Sequence, residues 1–298
     1  MLFRVLAGLL ASAVTARPTA RNEAAVLTAQ AISSSATDSG ERIPPIFNLS
    51  PEKSGTSTFA DFTWRSLNLT TFHNHVRFEA LLGPPDKEAC VDASPDEDYP
   101  DYAGWAEGLN KTSGALAAVL MSDIGAWADS PVNVLYPLTE TLIPDAKYVV
   151  WPRSSDEWIA SFEEFFCKQH SPHPSTAVSR VFKLHFSVCS PCDGADKMER
   201  VKSAYEAHLA NVQSYFSATA ERSARLFTLD FKDEAVGRKL CEFAYDLPPG
   251  AARCAHLGAM PLVQEDNLDK TMFKEADEAF VGAMPGGVWP KGWPSPGL

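Results

Sequence analysis

Short apolar runs alternate with polar, glycine- or proline-containing turns from residue 43 onward, and their spacing predicts an α/β chain. Ile46-Phe47-Asn48-Leu49 reads as a short buried strand. The polar stretch from Ser50 to Gly55 is a turn, and Thr56 to Arg65 follows as a helix with Phe59 and Phe62 one helical turn apart. Leu67 to Phe72 alternates as a second strand. Strand, loop, helix and strand in so few residues make a βαβ unit, so the two strands run parallel.

The same reading continues along the chain. Val134, Leu138 and Leu142 mark a helix ending near Pro144, and Ala146 to Trp151 is the most β-like run. Ser154-Ser155-Asp156-Glu157 is a capping-box pattern that opens a helix whose buried face is Trp158, Phe162, Phe165 and Phe166. A long helix near residues 196 to 218 carries Val201, Tyr205, Leu209, Val212 and Phe216 on one face. Arg225 to Phe231 is a further strand and Glu234 to Tyr245 a further helix. Between Pro84 and Pro100 lies an acidic, proline-containing loop with Asp92, Asp96, Glu97 and Asp98. It lacks the EF-hand ligand spacing, and a solvated acidic face accounts for it better than calcium.

The ends follow another logic. Arg4, the apolar run from Val5 to Ala13 and the small residues of Val14-Thr15-Ala16 fit a cleaved signal peptide over residues 1–16, with a buried N-terminal helix or a short uncleaved membrane anchor as the alternatives. Residues 17–42, rich in Ser, Thr and Ala, read as a flexible linker. The folded domain then spans 43–283, and 284–298 form a tail rich in Pro, Gly and Trp.

Composition and charge exclude several classes. The chain carries 26 Lys and Arg against 38 Asp and Glu, a net charge of −12, which is wrong for a protein that coats nucleic acid. With 45% apolar residues it is globular, and it has no uninterrupted apolar run of the roughly 18 to 20 residues that span a bilayer. Its six cysteines, Cys90, Cys167, Cys189, Cys192, Cys241 and Cys254, suit disulfides in the secretory pathway, either the Golgi lumen or outside the cell, with the pairing open. Asn68-Leu69-Thr70 and Asn110-Lys111-Thr112 are glycosylation sequons, and Asn48-Leu49-Ser50 is a poor one because Pro51 follows. His170, His173, Cys189 and Cys192 have a spacing that zinc accepts, but in a secreted chain disulfides explain the cysteines more simply, so no metal is expected.

Two segments carry candidate chemistry. Pro51-Glu52-Lys53-Ser54-Gly55-Thr56-Ser57-Thr58 places a lysine and several hydroxyls where a helix begins, and the free N–H groups and positive dipole end there suit an anion. The Walker A order of glycine and lysine is missing, which disfavours an ATPase or GTPase. Tyr148-Val149-Val150-Trp151-Pro152-Arg153 brings an arginine off the carboxyl end of a strand, where open α/β sheets bind ligands, with Ser161 eight residues later. Alone, Arg153 and Ser161 could equally be a surface arginine and an exposed helix serine.

Together the two segments resemble the sulfotransferases that use 3′-phosphoadenosine 5′-phosphosulfate (PAPS), over roughly residues 44 to 257. The resemblance implies a three-layer α/β/α fold around a mainly parallel, P-loop-like sheet. It gives Lys53, Ser54, Gly55, Thr56, Ser57 and Thr58 the 5′-phosphosulfate, and Arg153 and Ser161 the 3′-phosphate. Asp129-Ser130-Pro131 looks like the Asp-x-Pro of one branch. His73 matches a histidine that follows the second strand in related members and is the preferred base over His75, with Asp129 a second candidate base or the orienter of a histidine. The acceptor implied is a hydroxyl of a glycan or small molecule. Arg153-Ser154-Ser155 replaces the Arg-Asp-Pro of many members, and no Arg-Lys-Gly lid segment is found, which points to a divergent branch. A PAPS-binding homologue without catalysis and a P-loop small-molecule kinase are the competing readings. Any such reading requires Lys53 and Arg153 to share one positive pocket in an acidic chain.

Overall fold

Ile46–Asn48 forms the central strand, β1, and every strand that joins it runs parallel. A computed structural model describes residues 43–73, 120, 122–129, 132–169, 182–183, 185–186, 188–263 and 268–283, all within the unit that begins at Arg42. Helix α1 (Thr56–Arg65) leads to β2 (Thr71–His73), followed by β3 (Ala126–Ala128), α2 (Tyr136–Leu142), β4 (Lys147–Val150) and α3 (Ser155–Phe162). Then come α4 (Ala195–Ser217), α5 (Ala220–Ala224), β5 (Leu226–Thr228), α6 (Val236–Ala244) and α7 (Lys270–Ala283). The sheet order is β2-β3-β1-β4-β5.

Burial on both faces explains why these strands are short apolar runs. Ile46, Ala126, Ala128 and Val149 face one layer, where Phe59 and Phe62 of α1 meet Val236 and Leu240 of α6. Phe47, Phe72, Trp127, Tyr148 and Val150 face the other, packed on Tyr136 of α2, Val212 and Phe216 of α4 and Ala276 of α7. Phe47 pairs in register with Trp127 and Tyr148 and stacks on both rings, at 6.2 and 5.9 Å. The result is a three-layer α/β/α domain.

The expected βαβ unit is present, with β3 inserted between its two strands. Four expectations need correction. The second strand is Thr71–His73 rather than 67–72, because Asn68 takes a left-handed φ of 54°. Leu67 and Leu69 are buried under α1 as a turn whose N–H groups bond Phe62 and Thr63. The helix placed at Val134 begins instead at Tyr136, after a 3₁₀ turn at Val132–Val134, so Leu135, Tyr136 and Thr139 are buried while Leu138 and Leu142 are half-buried. Helix α3 widens into a π-turn over Glu163–Gln169, leaving Phe165 and Phe166 half-buried beside fully buried Trp158 and Phe162. The strand expected to reach Phe231 stops at Thr228, and the side chain of Asp230 folds back onto the Lys232 N–H.

Cys167 bonds Cys192 and Cys241 bonds Cys254. Cys189 is also in a disulfide, so Cys189 and Cys192 do not pair with each other or offer thiolates to a metal. Asn68 is exposed, and Asn48 is wholly buried and closed to glycosylation. Residues 1–42 and 284–298, the loop 84–100, and Cys90, Asn110, His170 and His173 lie outside the described residues. No helix among the described residues is long and apolar enough to cross a membrane.

Glu140 of α2 binds the Tyr215 hydroxyl and the Arg222 and Arg225 guanidinium groups, joining α2, α4 and the approach to β5. Burial opposes its charge, but these three donors together hold its pKa below the ordinary carboxylate range. A depressed carboxylate pKa adds stability above the unfolded value and loses it as pH falls through the folded one. Glu140→Gln should therefore unfold at lower urea than the parent at neutral pH, and the gap between the two should close in acid.

Candidate active site

The chain leaves β1 toward β2 and leaves β4 toward β5, on opposite sides, so the crevice between the carboxyl ends of these neighbours is the switch point of the sheet. Both candidate segments start there. The loop after β1 is fixed by its own polar groups: the Ser50 N–H donates to Asn48 Oδ1 at 2.9 Å, and the Trp151 N–H donates to Ser50 Oγ at 2.8 Å. That second bond ends β4 by tying its next residue to the loop instead of to a strand.

Lys53 and Gly55 take left-handed φ values of 64° and 73°, which turn the chain sharply into α1. Gly55 is the helix N-cap and offers no side chain to the first-turn N–H groups, so no side-chain oxygen competes with an anion there. Ser54 is 1% exposed, and its hydroxyl lies beside that of Tyr205 without a well-formed hydrogen bond. The Lys53 ammonium lies 3.5 Å from the centre of the Phe165 ring, a cation–π contact at the rim of the cradle.

Arg153 meets this loop directly. Its Nη1 donates to the Lys53 carbonyl at 3.1 Å, and its Nε lies 3.8 Å from Glu157 Oε2. The Arg153 guanidinium therefore meets the backbone of the Lys53 loop. Ser161 is half-buried in the last turn of α3, on the face it shares with Glu157 four residues earlier.

A second group stands at the carboxyl ends of β2 and β3. His73 is 3% exposed, and its Nε2 lies 3.2 Å from Asp129 Oδ2 and 3.4 Å from both Ser57 Oγ and Thr56 Oγ1. Asp129 holds a left-handed φ of 72°. A histidine nitrogen facing a carboxylate and two hydroxyls of the helix start can hold or pass a proton at the edge of the cradle. Thr58 is turned into the fold, where its hydroxyl accepts the Val263 N–H at 2.9 Å. His75, Ser130 and Pro131 lie outside the described residues.

Sequence reading missed the groups that grip the loop from behind. Trp158 Nε1 donates to the Glu52 carbonyl at 2.7 Å, His208 Nε2 lies 2.7 Å from the Leu49 carbonyl, and the Tyr205 hydroxyl donates to the Arg153 carbonyl at 2.8 Å. Burial lowers the pKa of His208 to about 4 and raises that of Tyr205 to about 12, so His208 is neutral and Tyr205 keeps its proton near pH 7. Burial also lowers His185, against a partly offsetting pull from Glu52. Trp158 and Tyr205 read only as apolar stripe positions; a polar atom at the end of each ring was the available signal.

The fold and crevice define a three-layer α/β protein with an anion-suited site at the carboxyl ends of its strands. The chain matches the sulfotransferase-domain family model over residues 46–249 and belongs to that family. Among solved structures it is similar to a sulfotransferase from Alicyclobacillus acidocaldarius, at 13% identity and a TM-score of 0.39, with 82% of this chain and 93% of that one covered. Curated proteins give no match.

A Cβ at Gly55 would lie 2.8 Å from Phe231 Cε2 and 3.0 Å from the Trp151 ring, on a backbone that side chains rarely adopt. Gly55→Ala should lower stability by about 1–3 kcal/mol, read as a reduced urea midpoint.

Proposed function

We propose that this sulfotransferase-family chain moves a sulfuryl group from PAPS to a hydroxyl on a glycan or small molecule. The observation that supports the reading is the bond from Arg153 to the Lys53 carbonyl, which joins the two candidate segments. The residues fit the donor: the first turn of α1 has no side-chain cap, and the Ser54 hydroxyl is buried beside it without a well-formed bond. PAPS supplies a sulfuryl group on a phosphate that departs as an anion.

Lys53 and the N–H groups at the start of α1 hold the phosphosulfate and stabilise charge that builds on the departing phosphate oxygen. Arg153, with Ser161 on the adjacent helix face, takes the second phosphate through its fork. His73 receives the acceptor proton as the new S–O bond forms and the old one breaks. Asp129 holds the imidazole and stabilises its charged form. Ser57 and Thr56 link the base to the cradle, so proton and sulfuryl group meet at one helix end.

The test is binding of adenosine 3′,5′-bisphosphate by calorimetry and transfer of labelled sulfate from PAPS to a panel of glycans and phenols. Lys53→Ala and Arg153→Ala should each weaken nucleotide binding by about tenfold or more. His73→Ala should leave binding near parental while kcat falls about 100-fold or more. No nucleotide binding by the intact protein overturns the reading. Binding with no transfer, unchanged by His73→Ala, marks a homologue without catalysis, and magnesium-dependent ATP binding at the same loop marks a kinase.

A further inference from the structure

We infer that Trp158 and Tyr205 are positioning residues for the anion cradle, acting on both of its segments through the backbone. The inference rests on the sulfotransferase reading above and extends it to two residues that touch no substrate. The rings of Trp158 and Tyr205 stack 4.1 Å apart at 10°, one from α3 and one from α4, and both side chains are almost wholly buried. Each carries a single polar hydrogen, and each directs it at a carbonyl of a different anion-binding segment. Trp158 Nε1 takes the Glu52 carbonyl, in the loop after β1. The Tyr205 hydroxyl takes the Arg153 carbonyl, after β4.

A site built from backbone N–H groups repels an anion wherever a carbonyl turns inward. In a planar trans peptide the C=O and the next N–H point in opposite directions. Holding the Glu52 carbonyl toward Trp158 therefore turns the Lys53 N–H to the opposite side. Holding the Arg153 carbonyl toward Tyr205 fixes the residue whose fork crosses back to Lys53. Three residues beyond Tyr205, His208 fixes the Leu49 carbonyl in the same way. The Cys167–Cys192 disulfide joins the far end of the α3 helical run to the turn before α4, so the two helices that supply the donors are linked covalently.

An apolar core needs only the volume of these rings. Their hydrogen atoms would then be a liability, since a buried donor without a partner is costly. Both are instead used on the two segments that must be held together.

The experiment compares the full chain with Tyr205→Phe, which keeps the stack and removes one hydroxyl. Its control is Tyr148→Phe, which removes an equally buried hydroxyl that bonds Thr139 within the core. Trp158→Phe is the second probe. Adenosine 3′,5′-bisphosphate binding should weaken about tenfold in Tyr205→Phe and in Trp158→Phe and stay within about twofold in Tyr148→Phe, although all three unfold at lower urea than the parent. Parental binding that Tyr205→Phe and Trp158→Phe leave within about twofold overturns the positioning role and leaves the sulfotransferase reading intact. Equal weakening in Tyr148→Phe also overturns it, because loss of stability would then explain the effect. An intact chain that binds no nucleotide overturns both.

Discussion

The meeting of the Lys53 loop with Arg153 depends on the parallel pairing of β1 with β4. Ile46, Phe47 and Asn48 lie opposite Lys147, Tyr148 and Val149, and the Leu49 N–H extends the ladder to the Val149 carbonyl at 2.8 Å. The two chains therefore leave the sheet at the same height, one into the Lys53 loop and the other into Arg153. A slip of one residue would exchange the faces of Phe47 and Tyr148, which bear the aromatic packing across β3, β1 and β4. Core packing and site geometry are thus one constraint. The stacked rings set the register, and the register brings the Arg153 guanidinium to the Lys53 carbonyl, 100 residues away in sequence.

What the sequence disclosed was local. Helix 56–65, the turn before it and the departure of Arg153 from a strand all follow from periodicity and turn chemistry within a few residues, and the structure places them as read. Strand β3 escaped because Ala126-Trp127-Ala128 is three residues long, with one large apolar side chain and no alternation. Its identity as a strand comes from the two neighbours between which it is buried. Helix α7 escaped as well, and it covers the edge beside β2, where its Met272 packs against Ala60 of α1. At the site, the approach of His73 to Asp129 depends on the pairing of β2 with β3, which no spacing reveals. The carbonyl grips of Trp158, Tyr205 and His208 were hidden for a different reason. Helical period assigns a side chain to the core and is silent about where its last polar atom points.

The net charge of −12 acquires a location through this geometry. Many cations among the described residues are committed to carboxylates or carbonyls elsewhere: Arg222 and Arg225 to Glu140, Lys147 to the last carbonyls of α6, Lys202 to Asp156 and Lys239 to Asp233. Lys53 and Arg153 stand together at the switch point, next to a helix N-terminus. Glu157 is a carboxylate near Arg153, at 3.8 Å and with 62% of its side chain exposed, so solvent weakens its hold on Arg153. On the proposed reading, the surrounding negative charge would direct an anion to this end of the sheet over the rest of the molecule.

Three positive-φ residues stand at the same place, while Asn68 and Asp246 are the other non-glycine ones among the described residues. Lys53, Gly55 and Asp129 all have positive φ, and two of the three are not glycine. Each non-glycine residue held there costs on the order of 1–3 kcal/mol, which persists only where surrounding contacts over-determine the conformation. Those contacts are the buried donors. Arg153 holds the Lys53 carbonyl and Trp158 the carbonyl before it, and the Val132 N–H holds the Asp129 carbonyl at 3.1 Å. Strain at Lys53 accompanies the sharp turn into a helix start, and strain at Asp129 accompanies a carboxylate that faces a buried histidine. On the proposed reading these are the two requirements of sulfuryl transfer, an electrophile held by positive charge and a base held in place before the substrate arrives. On that reading, groups held by the fold itself would leave little reorganisation for the moment of reaction.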